Sequence, residues 1–409
     1  MSQGTEYELV LYGATGYTGA LTAEHIAKHL PTDLVWAVAG RSAKKLESLA
    51  EKLKSSNPDR VQPSVEVAGL VKEDLEALAR KTKLIITTVG PYALYGEPVL
   101  AACANNGTHY LDVTAEYPWT LEMIRKYDDI AKANGAIIIP QSGLESVPHD
   151  LVSWSLVSII RDQLSVGTKE VTVVMDNMNF IPSGGTLASV FSLLDVFSVS
   201  DVMRAAKPWA FSSTPGTDAR DPAGWTGSFT DPVLGTMSKS SLTSEANRSV
   251  VHRTWGLMGN GSVYGPRFHY FEYAKASNFI TASLAYLSSI LLLIGLALSP
   301  VRWLLKKFVY APGQGPDVES ERKGFIGYRA IGVADQTSTT PARALSEFEY
   351  RGSPYEMTGT LVSEAAITIL REETLAKKLG GGLLTPATLG QPYVDRLANV
   401  GISLVTKLL

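Results

Sequence analysis

Residues Tyr7-Glu8-Leu9-Val10-Leu11-Tyr12-Gly13-Ala14-Thr15-Gly16-Tyr17-Thr18-Gly19-Ala20 decide how this chain folds. The run Leu9-Val10-Leu11 is apolar enough for a buried strand, and from Leu21 to Leu30 apolar positions recur at helical intervals. Three glycines spaced three apart lie between, so the stretch predicts a strand, a tight turn and a helix. In a dinucleotide-binding unit Gly13 permits the turn, Gly16 lets a pyrophosphate approach the backbone, and Gly19 lets the helix pack on the strand. The phosphates then sit on free N–H groups at the helix N-terminus, where the dipole favours negative charge. Ala14, Thr15, Tyr17 and Thr18 complete the expected cradle. A glycine turn of this spacing also joins strands to helices with no ligand, so the rest of the chain has to decide.

With 409 residues, two or three domains and a sizeable core are expected. The 37 basic and 40 acidic side chains leave a formal charge of -3, which removes the basic excess that nucleic-acid binding needs. A single cysteine, Cys103, excludes an internal disulfide framework and a thiolate-rich metal site, and favours a reducing compartment. The polar start, Met1 to Glu6, enters a strand at once and is expected to leave no room for a signal or transit peptide.

Beyond the first helix, Leu34 to Ala39 predicts a second buried strand that ends in Gly40-Arg41-Ser42. The residue type at this strand end separates the two nicotinamide cofactors. An acid there would bond a ribose 2′-hydroxyl, whereas an arginine accommodates a 2′-phosphate. Arg41, with Ser42 beside it, therefore predicts NADP(H). A helix from Ala43 to Lys54 follows, then a weak strand (Val65 to Ala68), a helix (Glu73 to Arg80) and a strong strand (Leu84 to Val89). Next come a helix from Glu97 to Asn106, a strand at His109 to Val113, a helix from Trp119 to Ala133 and a strand at Ala136 to Ile139. This alternation predicts an α/β fold, a Rossmann doubly wound parallel sheet with its ligand crevice at the carboxyl ends of the strands. Thr88, Val89, Gly90, Pro91, Tyr92, Thr114, Glu116, Gln141, Ser142 and Gly143 all fall at such ends.

After a helix from about Gly143 to Ile160 the pattern changes. Strands are expected at 169–176, 253–257, 267–275, 325–333 and 344–350, with helices at 183–197 and 357–370. The stretch 208–245 is rich in Ser, Thr, Gly, Pro and Asp and reads as loop, a candidate lid. The chain thus divides into a nucleotide domain (1–145) and a substrate and dimerisation domain (146–409), α+β with a mixed or antiparallel sheet. A C-terminal segment is expected to return to the first domain. Within the second domain, Ser277 to Val301 carries no charge and is long enough to span a bilayer.

Several local patterns then fall together: Gly13-Ala14-Thr15-Gly16-Tyr17-Thr18-Gly19, Ala39-Gly40-Arg41, Val89-Gly90-Pro91-Tyr92 with Tyr95-Gly96-Glu97-Pro98-Val99, Asp112-Val113-Thr114, Gln141-Ser142-Gly143 with Ser146-Val147-Pro148, Ser183-Gly184-Gly185-Thr186 and Leu384-Thr385-Pro386-Ala387. In order and over nearly the whole chain, they resemble the saccharopine dehydrogenase-like oxidoreductases. The nearest branch looks like the one containing the trans-acting enoyl reductases of bacterial lipid synthesis and their membrane- or droplet-associated eukaryotic relatives. The resemblance implies an NADP-binding Rossmann domain, a second domain that shapes the substrate site and often mediates dimerisation, and reduction by hydride transfer. It leaves the substrate open. True saccharopine reductases bind a charged amino acid through polar residues of the second domain. Here that domain is poor in charge over long spans, so an apolar or lipid-like C=C, C=N or C=O compound is expected.

Hydride transfer needs a dry pocket and a proton donor or oxyanion stabiliser. Tyr92 and Tyr95, just past the fourth strand, are the expected donors, although an aromatic after Gly-Pro can equally pack under a helix. A short-chain dehydrogenase needs a lysine four residues after its tyrosine to depress the phenol; no tyrosine here has one. The six histidines form no metal-ligand spacing with acids, so no metal is expected. Glu145 and His149 share a helix face near the crevice and could shuttle protons, a cap or surface pair being the commoner explanation.

A single bilayer crossing at 277–301 would put strands of one sheet on opposite sides. A monotopic insertion over 277–310 fits better, with Pro300 as a helix breaker and Arg302-Trp303-Leu304-Leu305-Lys306-Lys307-Phe308-Val309-Tyr310 as the interfacial mix. A dimer interface is the alternative use of the stretch. The expected enzyme is intracellular, at the cytoplasmic face of a membrane or lipid droplet and otherwise in the cytoplasm. The rival is a non-catalytic nucleotide-binding or lipid-surface protein.

Overall fold

The computed structural model describes residues 5–177, 181–305, 307, 310–311 and 313–409. Met1 to Gly4, at the expected polar start, and Lys306, Phe308 and Val309, part of the expected interfacial segment, lie outside the described residues.

The first half alternates as the periodicity requires: β1 (Tyr7–Tyr12), α1 (Tyr17–His29), β2 (Trp36–Gly40), α2 (Ala43–Ser56), β3 (Ser64–Val67), α3 (Lys72–Lys81), β4 (Thr82–Thr87), α4 (Tyr92–Asn106), β5 (His109–Asp112), α5 (Tyr117–Ala133) and β6 (Ile137–Ile139). The central strands β1, β2 and β4 are almost wholly buried, as the near-continuous Val, Ile and Leu runs of a parallel sheet demand. Their side chains feed one core on each face. Leu9, Leu11, Val38, Leu84 and Ile86 enter one, and Val10, Ala37, Ala39, Ile85 and Tyr110 the other.

The second half holds α6 (Val147–Leu164), β7 (Thr168–Asn177), α7 (Gly184–Val196), α8 (Val199–Ala205), β8 (Ser228–Asp231), β9 (Gly235–Ser238), α9 (Ser244–Leu257), β10 (His269–Lys275), α10 (Phe279–Ala297), α11 (Ser299–Leu305) and α12 (Val318–Glu321). It continues with β11 (Phe325–Ala334), β12 (Arg343–Arg351), α13 (Pro354–Arg371), α14 (Leu375–Lys378), β13 (Gly382–Leu383), α15 (Gly390–Asn399) and β14 (Ser403–Leu408). Two seven-stranded sheets result. The first runs β13-β6-β5-β4-β1-β2-β3 and is parallel throughout. Its order reverses between β1 and β4, the topological switch point where ligands of such sheets bind. The second runs β14-β12-β11-β7-β10-β9-β8 and is mixed, with β7 and β10 parallel and the other pairs antiparallel.

Two elements of the C-terminal part pack on the first sheet and its helices. β13 pairs with β6, and Gly359 of α13 packs so closely on α1 that an added Cβ would lie 3.1 Å from the Thr22 backbone. This glycine is therefore a close approach between helices rather than a flexible point.

Three expectations are corrected. The run 253–257 is not a strand but the last turns of α9. Its Val250-Val251-His252-Arg253-Thr254-Trp255 residues are buried on every side, so no helical stripe marks it and the β-branched content misleads. The stretch 208–245 is no lid. Its second half forms the β8–β9 hairpin, which closes the edge of the second sheet and carries α10: the Ser238 hydroxyl donates to the Ala282 carbonyl at 2.6 Å, and a Cβ on Gly227 would overlap the Tyr286 ring. Finally, α4 starts at Tyr92 rather than Glu97.

Helix α10 stands out from this packing. Asn278 and Thr281 form its capping box, Ala282 alone is buried, and Leu284, Leu287, Leu291, Leu292, Leu293 and Ile294 face outward. Because β10 before it and β11 after it both pair with β7, the two ends of the excursion return to one sheet. Arg302 of α11 ties it to α7 through Asp195 Oδ1 at 3.0–3.1 Å.

Candidate functional site

The three glycines of the β1–α1 turn do three different jobs. Gly13 has φ of +86°, and a Cβ there would lie 2.6 Å from Val89 Cγ2. At Gly19 a Cβ would overlap the Gly13 carbonyl oxygen and come within 2.8 Å of Thr88 Oγ1. Neither position admits a side chain because strand and helix are already in contact. Gly16 differs: a Cβ there would touch only the Gly13 oxygen, at 3.4 Å, so the space before it is open. It is also the N-cap of α1 and makes no side-chain cap bond. The N–H groups of Tyr17, Thr18 and Gly19 in the first turn have no backbone acceptor among the described residues. The turn is held by Thr88, whose N–H donates to Tyr12 O at 3.0 Å and whose hydroxyl donates to Gly13 O at 3.1 Å. Thr15 is exposed and Ala14 buried.

At the end of β2, Arg41 is exposed and makes no ion pair among the described residues. Its charge acts on Tyr12, whose phenol burial pushes up to about 12 against the lowering by Arg41. Ser42 begins α2 as its N-cap without a side-chain cap bond. An open glycine cradle, free helix N–H groups and an unpaired cation at the second strand end fit a dinucleotide bearing a 2′-phosphate.

Past β4, Thr88, Val89, Gly90 and Pro91 line the same carboxyl edge, with Gly90 exposed. Glu116 decides where α4 begins. Its carboxylate accepts from the Tyr92 and Ala93 N–H groups, both at 2.8 Å, and so satisfies the orphan donors of that helix. Burial raises the Glu116 carboxyl above the ordinary carboxylate range. No local signal reveals such a cap, because the residue comes from the next strand end.

That early start settles Tyr92. Its side chain is 4% exposed, its hydroxyl donates to Thr87 O at 2.9 Å and accepts from Val113 N–H at 3.3 Å, and burial drives the phenol well above its ordinary value. The phenol is bonded to two backbone groups beneath a helix and joins the ends of β4 and β5. Tyr95 lies on the outer face of α4, 43% exposed. Ser142 and Gly143 are buried in the seam. The Ser142 hydroxyl donates to Ile139 O at 2.9 Å, and a Cβ on Gly143 would meet Thr358 Cγ2 at 3.2 Å. They shape the floor of the crevice more than its surface.

Helix α9 and strand β10 of the second sheet hold a polar cluster that reaches the end of β6. Glu272 of β10 accepts on one carboxylate oxygen from Asn247 Nδ2 (2.9 Å) and the Tyr270 hydroxyl (3.1 Å), and on the other from Ser241 Oγ (2.5 Å). His149 Nε2 lies 3.5 Å from Glu272 Oε2, and the Tyr328 ring stands edge-on to the imidazole at 4.9 Å. Ser146 and Gln141 extend the chain of contacts to the end of β6. Thus His149 and its neighbour Glu145 are no surface pair. His149 is buried and its pKa is pushed down by burial, and Glu145 is half-buried. Their one-turn spacing was visible in the sequence; their partners, on α9 and β10, were not.

Comparison with known proteins agrees with this architecture. The saccharopine dehydrogenase NADP-binding domain family matches residues 9–139. A Mycobacterium tuberculosis protein, provisionally named a trans-acting enoyl reductase, is 30% identical, the match covering 98% of this chain and 97% of that one. The trans-acting enoyl reductase of Mycobacterium leprae is 28% identical, with 98% of each chain covered. Among solved structures, apo saccharopine dehydrogenase (L-Glu forming) of Saccharomyces cerevisiae is similar in fold, with a TM-score of 0.52 over 98% of this chain and 100% of that one, at 13% identity. A Rossmann sheet with an NADP-binding turn, matched end to end by these relatives, places the chain in the saccharopine dehydrogenase-like family, in its trans-acting enoyl reductase branch, as an NADP(H)-dependent oxidoreductase.

Proposed function

We propose that this enzyme reduces the C=C bond of an enoyl group carried on an apolar, lipid-like chain, and that it works while docked to a lipid surface through α10 and α11. The names of its relatives support the enoyl class. One observation carries the lipid surface: over Phe279–Ala297 the mean hydropathy is 2.1 and only 6% of the residues are buried. Each exposed leucine forgoes roughly 1.5–3 kcal/mol of burial, a loss that a soluble surface has no reason to bear at so many adjacent positions. Helices α7 and α8 extend the apolar surface with Val190, Val196, Val199 and Met203. Since both ends of the excursion return to one sheet, the helix enters the lipid from one side.

In this reading Gly16 and the N–H groups of Tyr17, Thr18 and Gly19 receive the pyrophosphate, with Ala14 and Thr15 completing the turn. Arg41 and Ser42 take the 2′-phosphate. Thr88, Val89, Gly90 and Pro91 wall the nicotinamide end, above the floor made by Tyr92, Ser142 and Gly143. NADPH, when bound, supplies the hydride. The residues around it exclude water and orient the acceptor.

The test follows NADPH oxidation with trans-2-enoyl thioesters of short and long acyl chains, with and without phosphatidylcholine vesicles containing a minor anionic fraction. Turnover that rises with chain length and with vesicles is expected. Absence of turnover with every thioester would overturn the substrate class. A wild type that stays free of vesicles and sediments as a dimer would reassign α10 to a homodimer interface.

A further inference from the structure

We propose that NADPH binding and lipid docking are coupled through the Tyr17 side chain, on which the strap Gln314-Gly315-Pro316 is seated, so that a docked enzyme holds its cofactor more tightly than a free one. The inference rests on the lipid-surface reading above for its trigger and on the contacts around Tyr17 for its path.

Tyr17 is the first residue of α1, and its N–H is one of the three donors of the glycine cradle. Its side chain reaches into the second domain. The hydroxyl donates to the Pro316 carbonyl at 2.8 Å, and a Cβ on Gly315 would lie 2.7 Å from the ring, so the strap backbone rests directly on the phenol. Only glycine allows that approach. The Tyr355 ring of α13 stands edge-on to the same phenol, with centroids 5.0 Å apart.

Helix α7 holds the strap in turn. The Gly184 N–H donates to the Gln314 carbonyl at 2.9 Å, and a Cβ on Gly184 would overlap the carbonyl oxygens of Tyr310 and Ala311. Tyr355 adds a second tie: its hydroxyl accepts from the Ser183 N–H at 2.6 Å and lies 2.9 Å from Thr186 Oγ1, both at the start of α7. Near the other end of α7, the buried Arg302 bonds Asp195 and donates to the Leu296 and Ala297 carbonyls at 2.8 and 3.0 Å, which fastens the C-terminus of α10. An arginine so fully bonded makes a stiff joint. Tyr17, the strap, α7 and the end of α10 are therefore one connected body.

Receiving a pyrophosphate requires the N–H groups of Tyr17, Thr18 and Gly19 to converge, and ordering them costs conformational entropy. A strap pressed on the phenol supplies part of that order beforehand. The outer face of α10 is the exposed end of the body, with Leu284, Leu287, Leu291 and Ile294 turned outward. A lipid surface that stills α10 therefore steadies the strap, and cofactor binding then orders less. Linkage makes the effect reciprocal, so the NADPH-loaded enzyme also docks more tightly.

Fluorescence titration of NADPH, with and without phosphatidylcholine vesicles containing a minor anionic fraction, tests the coupling. Wild type is expected to bind NADPH ~5-fold or more tightly with vesicles. Tyr17→Phe removes only the bond to Pro316, and Gly315→Val drives the strap off the ring. Both variants should float with the vesicles as wild type does and lose the vesicle-dependent tightening, a ratio that a general loss of stability does not move. A wild type that floats yet binds NADPH equally well with and without vesicles overturns the coupling. So does full tightening retained in both variants. Hydrogen exchange without vesicles tests the path itself: NADPH should slow amide exchange over residues 313–317 in wild type and not in Gly315→Val. Strap exchange that ignores NADPH refutes the role of Tyr17. If wild type does not float, the lipid reading fails, while the exchange measurement still decides whether the strap answers to the cofactor.

Discussion

The β1–α1 turn and the α10–α11 excursion are both glycine- or leucine-rich stretches that a sequence reader notices at once, yet they obey opposite rules. In the turn two of the three glycines are packed: Gly13 and Gly19 are in contact with Val89, Thr88 and each other, and Gly16 faces open space. In α10 nearly nothing is spoken for beyond Ala282 and the Tyr286 contact with Gly227. A substitution in the first region therefore acts on stability or on cofactor binding according to which glycine it hits. One in the second acts on neither, and its effect appears only when a partner surface is present.

That contrast can be broken most forcefully at Gly19. Gly19→Ala puts a methyl group into the Gly13 carbonyl oxygen, where backbone must move; about 3 kcal/mol of destabilisation is expected, read as a fall in the denaturation midpoint with the slope unchanged. A variant as stable as wild type would show that the turn is looser than its geometry. Next in size, the pair Leu292→Asp with Leu293→Asp should abolish vesicle flotation. Both side chains are about half exposed, so the melting temperature should stay put. Loss of stability instead would mean that α10 packs inside an assembly.

Arg41→Ala sharpens the cofactor side. Losing a charge-assisted bond of about 1.5–3 kcal/mol should weaken NADPH by ~10-fold or more and leave NADH nearly unchanged, measured by fluorescence titration. An equal loss for both cofactors would remove Arg41 from the 2′-phosphate site. Gly16→Ala is the control for Gly19: its methyl finds space, so stability should fall by under about 1 kcal/mol while NADPH affinity drops. The smallest effect belongs to Tyr92→Phe. It removes the bond to Thr87 O and should cost about 1 kcal/mol of stability with kcat within a few-fold of wild type. A collapse of kcat at unchanged stability would restore Tyr92 to the chemistry.

Much of this was legible in the chain. Apolar runs and glycine spacing placed the parallel sheet and its phosphate turn, because a strand buried on both faces and a helix entered through a tight turn need those residue types wherever they occur. The place of Arg41 just past β2 could be read for the same reason, since its position relative to β1 is set by one helix and one short strand. Where the reading failed, the deciding contacts came from far away. Helix α9 looks like a strand until it is surrounded, 208–245 looks like a lid until β9 pairs with β10, and α4 looks as if it begins at Glu97 until Glu116 caps it at Tyr92.

By itself, then, the sequence determined the doubly wound sheet, the NADP(H) turn and the unbroken apolar excursion, all of which are local patterns of period, spacing and composition. Only the tertiary structure decided that the two ends of the excursion return to one sheet, that the Tyr92 hydroxyl is bonded to Thr87 O, and that His149 meets Glu272 across a seam. Those outcomes depend on which buried groups find partners, and a chain of 409 residues settles that only when strands distant in sequence come side by side.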